Sequence, residues 1–306
     1  MAGGTAPHGL EAALPVARPL PAGGTAPSAR RTAKGGGERQ PMESKQHAGV
    51  PSPSSADASR SGDPRRAERP SPLVRMLRAL EAPALVLVPC AMAGCALAGL
   101  AQSALVMLLV VVLVLGLFFA GYEASRPGLR QIMPTLVLAS LAAAGRILFA
   151  AVPDFKPVSA IAIIAGAVLG RRNGFMVGAL AALTSNFFFG QGMWTPWQMY
   201  AWGLVGYVSG ALAEAGAFKR ADGSVARLPL LAYGFFSCVM YGAVINCYDV
   251  IGFVQPLTWA GVVARVAASL PFDVMHGVAT VVFLAALYVP WERRLARVVR
   301  RYGLAG

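Results

Sequence analysis

From Pro83 onward the chain is a succession of apolar runs, and the most extreme, VMLLVVVLVLGLFF at Val106–Phe119, has no polar side chain at all. A helix needs roughly 20 such residues to cross about 30 Å of hydrocarbon. Eight runs approach that length, at about residues 84–100, 103–121, 133–152, 157–170, 174–189, 196–213, 228–253 and 259–289. Hydrophobic residues make up 56% of the chain and charged ones only 13%, about half the charged share of an average soluble domain (roughly 25%). The expected fold is an all-α integral membrane protein.

The formal net charge of +13 invites a nucleic-acid reading, but the 27 Lys and Arg are scattered rather than gathered in one patch. Twelve lie before residue 83. With that segment placed in the cytoplasm, twelve more fall in loops on the same side or at the C-terminus, from Arg126 and Arg130 to Arg300 and Arg301. Only Arg146, Lys156 and Arg265 fall elsewhere. This alternation follows the positive-inside rule. It predicts eight crossings with both termini cytoplasmic, and no nucleic-acid partner.

Residues 1–82 are rich in Pro, Gly, Ala, Ser and Arg, and repeat GGTAP at Gly3–Pro7 and Gly23–Pro27. Such a composition buries too little apolar surface to offset its ordering entropy, so this segment reads as a disordered basic tail. Met42 and Met76 lie within it, and a start at either in place of Met1 is a second reading of this segment. The expected organisation is that tail, a transmembrane hairpin over 83–122, a six-helix domain over 131–291 and a basic cytoplasmic tail over 292–306. Cys90, Cys95, Cys238 and Cys247 all lie in apolar runs with no CxxC or Cys/His cluster. They read as small buried apolar residues, not as a disulfide framework or zinc site.

Polar groups inside a membrane are costly and mark function by default. They crowd toward the outer ends of the expected spans: Arg146, Asn186, Gln191, Gln198, Asn246 and Asp249, with Asp273 and His276 deeper. Asp273 and His276 are three apart and share a helix face. They read as the polar floor of an outward-facing pocket, or else as a mutual pair locking two helices. Arg146 reads as a ligand contact or as a cation snorkelling to lipid headgroups.

Between the fifth and sixth runs lies SNFFFGQGMWTPWQM at Ser185–Met199. Its glycines give conformational freedom, and Gln191 and Gln198 set amides beside Trp194 and Trp197. Aromatics with a few polar groups are the usual make-up of a small-molecule site, although Trp194, Trp197 and Trp202 also fit an interfacial belt. The segment is expected to form the wall or lid of the pocket. No Walker A motif, HExxH or GxSxG is present, so the chain itself is not expected to hydrolyse ATP, and neither metal nor cofactor is expected.

Three stretches resemble the substrate-binding S component of energy-coupling factor (ECF) vitamin transporters. They are LASLAAAGRILFAAVPDFKPVSAIAIIAGAVLG, GFMVGALAALTSNFFFGQGMWTPWQMYAWGLVGYVSG and SLPFDVMHGVATVVF, from about residue 134 to 288. The resemblance implies a six-helix core in a bacterial plasma membrane that binds a vitamin or related micronutrient from outside. It also implies docking, through an Ala-x-x-x-Ala face corresponding to Ala139 and Ala143, on a transmembrane coupling protein driven by two cytoplasmic ATPases. The GQGMWTPWQ block is closest to the cobalamin-type subgroup. The hairpin and tail depart from the family pattern. Two other readings stand beside this one: a membrane-embedded enzyme acting on a lipid, with Asp273 and His276 as an acid/base pair, and a small scaffold or secondary transporter.

Overall fold

A computed structural model describes residues 71–97, 104–125 and 127–302. The tail read as disordered lies, up to Pro70, outside these residues. The described part is all-helical: α1 (Pro72–Leu97), α2 (Ala104–Ala124), α3 (Leu129–Leu148), α4 (Val158–Leu169), α5 (Arg171–Phe189), α6 (Trp194–Glu214), α7 (Arg227–Phe253) and α8 (Trp259–Tyr302).

Three of these are long and apolar enough to cross a membrane, within Leu105–Ala124, Arg227–Phe253 and Trp259–Arg301. Of the eight runs expected to span, the fourth of them short, three thus have the length and apolarity to cross. α4 is the clearest exception. Its 12 residues reach only about 18 Å at 1.5 Å per residue. Its residues from Val158 to Gly166 are buried without exception, and a helix apolar on every side is one enclosed by others. α8 departs the other way. Its 44 residues run unbroken past Pro290 into the basic segment read as a separate tail, and at about 66 Å it exceeds any bilayer core. α1 likewise starts at Pro72, well before the apolar run at Ala84, and so carries Arg75, Arg78 and Glu81.

Glycines set how close the central helices come. A Cβ on Gly166 or on Gly174 would run into the Gly206 carbonyl, and one on Gly206 into that of Gly174. A Cβ on Gly178 would strike the Trp202 backbone. α4, α5 and α6 therefore meet backbone to backbone. Ser209 Oγ donates to the Ile163 carbonyl across this contact at 2.8 Å. Gly170, at φ +92°, reverses the chain between α4 and α5 in a single residue, a conformation that a Cβ disfavours.

The first two helices pack on this layer. Phe118 stacks on Phe175 with centroids 3.9 Å apart. Tyr200 Oη donates to the Leu85 carbonyl at 2.7 Å, and Arg172 Nε donates to Glu81 at 2.9 Å. Cys238 is buried as expected, whereas Cys90 lies on the exposed face of α1; the Cys95 side chain lies outside the described set.

Gly206→Leu should lower stability by about 1–3 kcal/mol, the range for overpacking. Gly116→Ala, where a Cβ meets nothing within 4 Å, should leave the midpoint unchanged or slightly raised. Thermal unfolding in mild detergent reads both, and equal losses would refute backbone contact at Gly206.

Candidate functional site

Arg146, near the C-terminal end of α3, is the centre of the polar groups that the fold brings together. Its side chain is buried, with only 9% of the residue exposed. NH1 donates to Ser185 Oγ at 2.7 Å and to Asn186 Oδ1 at 2.6 Å, and NH2 lies 3.5 Å from Gln198 Oε1. The guanidinium sits over the rings of Phe189 and Trp202, 4.7 and 4.9 Å from their centroids. Snorkelling is thus excluded: the cation points inward and is held by α5 and α6. Among the described residues no carboxylate lies within ion-pair distance of it.

The Ser185–Met199 stretch closes on itself around this cation. Asn186 Nδ2 donates to Thr195 Oγ1 at 3.0 Å and to Gln198 Oε1 at 2.8 Å. Thr195 Oγ1 donates to Gln191 Oε1 at 2.9 Å, and Gln191 Nε2 donates to the Leu183 carbonyl at 3.0 Å. Gly190 takes φ +99°, so the freedom attributed to GQG is used at its first glycine. At Gly192 a Cβ would collide with the Trp194 ring. The two tryptophans then separate. Trp194 is 41% exposed, whereas Trp197 is buried against Tyr248, with centroids 5.7 Å apart. Trp194 occupies a belt-like position and Trp197 is core.

A line of rings leads away from Arg146. Trp202 lies 4.7 Å from Tyr241, and Tyr241 lies 4.8 Å edge-on from His276. His276 Nε2 shares a 2.6 Å hydrogen bond with Ser159 Oγ. Asp273 turns elsewhere: Ser269 Oγ donates to it at 2.9 Å, and Asn246 Nδ2 donates to Ser269 at 2.8 Å. Their shared helix face does not pair Asp273 with His276. Asp249 forms an ion pair with Arg265, an ordinary interhelical contact apart from the Arg146 cluster.

Ser159, Trp202 and His276 line a small cleft with Asp154 and Lys156 of the 149–157 loop, and its free volume is about 10 Å³, room for a single water. The Trp202 indole N–H is buried beside it without a partner among the described residues. In the loop, desolvation raises the Asp154 carboxyl above its usual range, opposed by the nearby Lys156 charge. Desolvation likewise lowers the Lys156 ammonium, opposed by Asp154. Both charges are thus partly withdrawn from water, more than a plain solvated turn would require.

Sequence reasoning missed Ser185, Thr195, Ser159 and Tyr241, whose hydroxyls and ring complete the cluster. Ser185 and Thr195 stand within the quoted stretch, and their spacing from Asn186 and Gln191 was the available signal. Ala139 and Ala143, assigned to a partner face, are both buried by the chain's own helices. The exposed small residues of α3 are Ser140 and Ala144, each one position further along. No group of three or more His, Cys, Asp or Glu suited to a metal occurs among the described residues.

Arg146→Met should cost about 1–3 kcal/mol, because buried oxygens of Ser185 and Asn186 lose their donor. Trp194→Ala should stay within about 0.5 kcal/mol, as for most surface positions. Unfolding midpoints in detergent check the pair; a larger loss at Trp194 would show that the loop, not the cation, anchors this end.

Residues 125–297 match the model of a family described as "Family of unknown function (DUF6580)", and the chain belongs to that family. No curated protein and no solved structure matches the chain.

Proposed function

We propose that the protein is a substrate-binding subunit of the ECF S-component type in a bacterial plasma membrane. In this reading α3 to α8 form the six-helix binding core, and α1 and α2 are an added hairpin. The solute is a vitamin or related micronutrient taken from the outer side at the Arg146 cluster. Cobalamin is the first candidate, on the likeness of the GQGMWTPWQ block. A coupling protein with two cytoplasmic ATPases would supply the energy.

The observation that carries this reading is a buried cation held only by neutral groups. Arg146 is desolvated among Ser185, Asn186, Gln198 and two aromatic faces, with no carboxylate at ion-pair distance among the described residues and Asp154 acting on it only from further off. A structural arginine at such depth is normally paired, because leaving it unpaired costs several kcal/mol. A solute bearing acceptor atoms or negative charge would repay that cost at binding. The cluster also stands on rigid helices, which suits a receptor that recognises its solute before any energy is spent.

Two features qualify how binding proceeds. The cleft beside Trp202 holds about one water, so a vitamin-sized solute enters only when the 149–157 loop and the 190–194 turn move apart. Ala139 and Ala143 are covered, so docking of a coupling protein on them requires α3 to shift against its neighbours. The reading as a lipid-acting enzyme draws no support from Asp273 and His276, which bond to different partners.

The full chain, purified in mild detergent, should bind one member of a vitamin panel tightly without ATP. Gln198→Ala should weaken that binding about tenfold, the worth of one charge-assisted hydrogen bond. Mass spectrometry of co-purified small molecules identifies the solute. Failure to bind any vitamin, together with failure to co-purify coupling or ATPase subunits, would sink the proposal.

A further inference from the structure

A second cleft lies at the opposite end of the helices from Arg146. It encloses about 690 Å³, within the size range of small-molecule sites. The N-terminal part of α1, the end of α2, the α4–α5 turn and the end of α6 all contribute to its wall. The sequence left the first two helices without a role, and the family match begins only at residue 125. This cleft is where those helices meet the family's residues.

Its charges are unequal. Arg78, Arg171 and Arg172 line it against Glu81 and Glu214, three cations against two anions. Arg172 is tied to the buried Glu81, donating from Nε at 2.9 Å, and its NH1 donates to Ser125 Oγ at 3.2 Å. Arg171 is paired with Glu214. Both carboxylates are thereby engaged, and the exposed Arg78 keeps its guanidinium unpaired among the described residues. The α4–α5 turn adds donors of another kind. Gly170 caps α5 with no side-chain acceptor, so the first backbone N–H groups of α5, at the wall of the cleft, have no partner within the helix.

We propose that this cleft binds a phosphate group, carried by an anionic lipid headgroup or by a soluble phosphate ester. Guanidinium forks and uncapped helix N–H groups both match tetrahedral phosphate oxygens. The Ser125 hydroxyl, which donates to the Gly121 carbonyl and accepts from Arg172, helps hold that guanidinium at the cleft. Arg78 supplies the uncompensated charge, while Glu81 and Glu214 hold the other two guanidinium groups in place. Exposed Leu73, Met76 and Leu80 are apolar surface on α1, one of the contributing helices, along which acyl chains of a lipid would lie. The site stands apart from the solute proposed at Arg146, and its test does not depend on that solute.

Native mass spectrometry of the full chain in neutral detergent, titrated with dioctanoyl phosphatidylglycerol, should show saturable binding of one molecule. Arg78→Gln should weaken it about tenfold, the loss of one charge-assisted contact. Arg75→Gln, which removes the same charge from the same helix outside the cleft, should change it less than about twofold, since exposed charges act weakly at a distance. Dioctanoylglycerol, lacking phosphate, should not bind saturably. If glycerol 3-phosphate binds with the same dependence on Arg78, the source is a soluble ester; if only the lipid does, it is a headgroup. Equal losses from Arg75→Gln and Arg78→Gln would show general surface attraction and overturn the proposal, as would unchanged binding in Arg78→Gln.

Discussion

The rest of the structure depends on the absence of side chains where α4, α5 and α6 cross. Gly166, Gly174 and Gly206 bring backbone against backbone, a distance no Cβ permits. Backbones this close gain dispersion contacts that intervening side chains would forbid. The consequence reaches both ends of the helices. At one end the tight α5–α6 pair sets Ser185, Asn186 and Gln198 around one guanidinium. At the other, the single-residue reversal at Gly170 sets Arg171 and Arg172 beside Glu81 and Glu214.

The two ends handle charge in opposite ways. At the basic end, arginines meet carboxylates directly, in pairs that cross between helices. At the Arg146 end the cation is surrounded by neutral amides, hydroxyls and rings. A desolvated arginine without a carboxylate is the more demanding arrangement, because neutral dipoles offset only part of its lost hydration. Trp202 adds an unmet demand, an indole N–H buried without a partner among the described residues. Natural folds leave few buried polar groups unsatisfied, and the Trp202 N–H beside a cation held by neutral groups is what gives that end its functional interest.

Some of this was legible from residue order. The SNFFFGQGMWTPWQM stretch announced a polar, aromatic connection, and Asn186 and Gln198 do meet Arg146 directly, with Gln191 joined to Asn186 through Thr195. The helix types and most of their bounds were legible too, since long apolar runs admit little else. What failed did so for geometric reasons. Asp273 and His276 share a face, yet α8 presents one to α7 through Ser269 and the other to Ser159 on α4. Ala139 and Ala143 have the spacing of a docking face but are turned inward, with Ser140 and Ala144 outward instead. Trp194 and Trp197 are three apart, and the turn at Gly190 leaves one exposed and the other in the core.

Composition and run length by themselves determined that the described chain is helical and suited to a membrane, because an apolar run such as Val106–Phe119 has no stable place in water. They also located its charges at the run ends, where hydration is cheapest. Only the tertiary structure decided which helices are enclosed rather than lipid-facing, because α4 and α2 are alike in apolar content and differ in what surrounds them. It alone decided that, among the described residues, Arg146 has no ion pair while Arg172 has one with Glu81. Pairing depends on distances between helices far apart in sequence, and those distances are set by the glycine contacts in three dimensions.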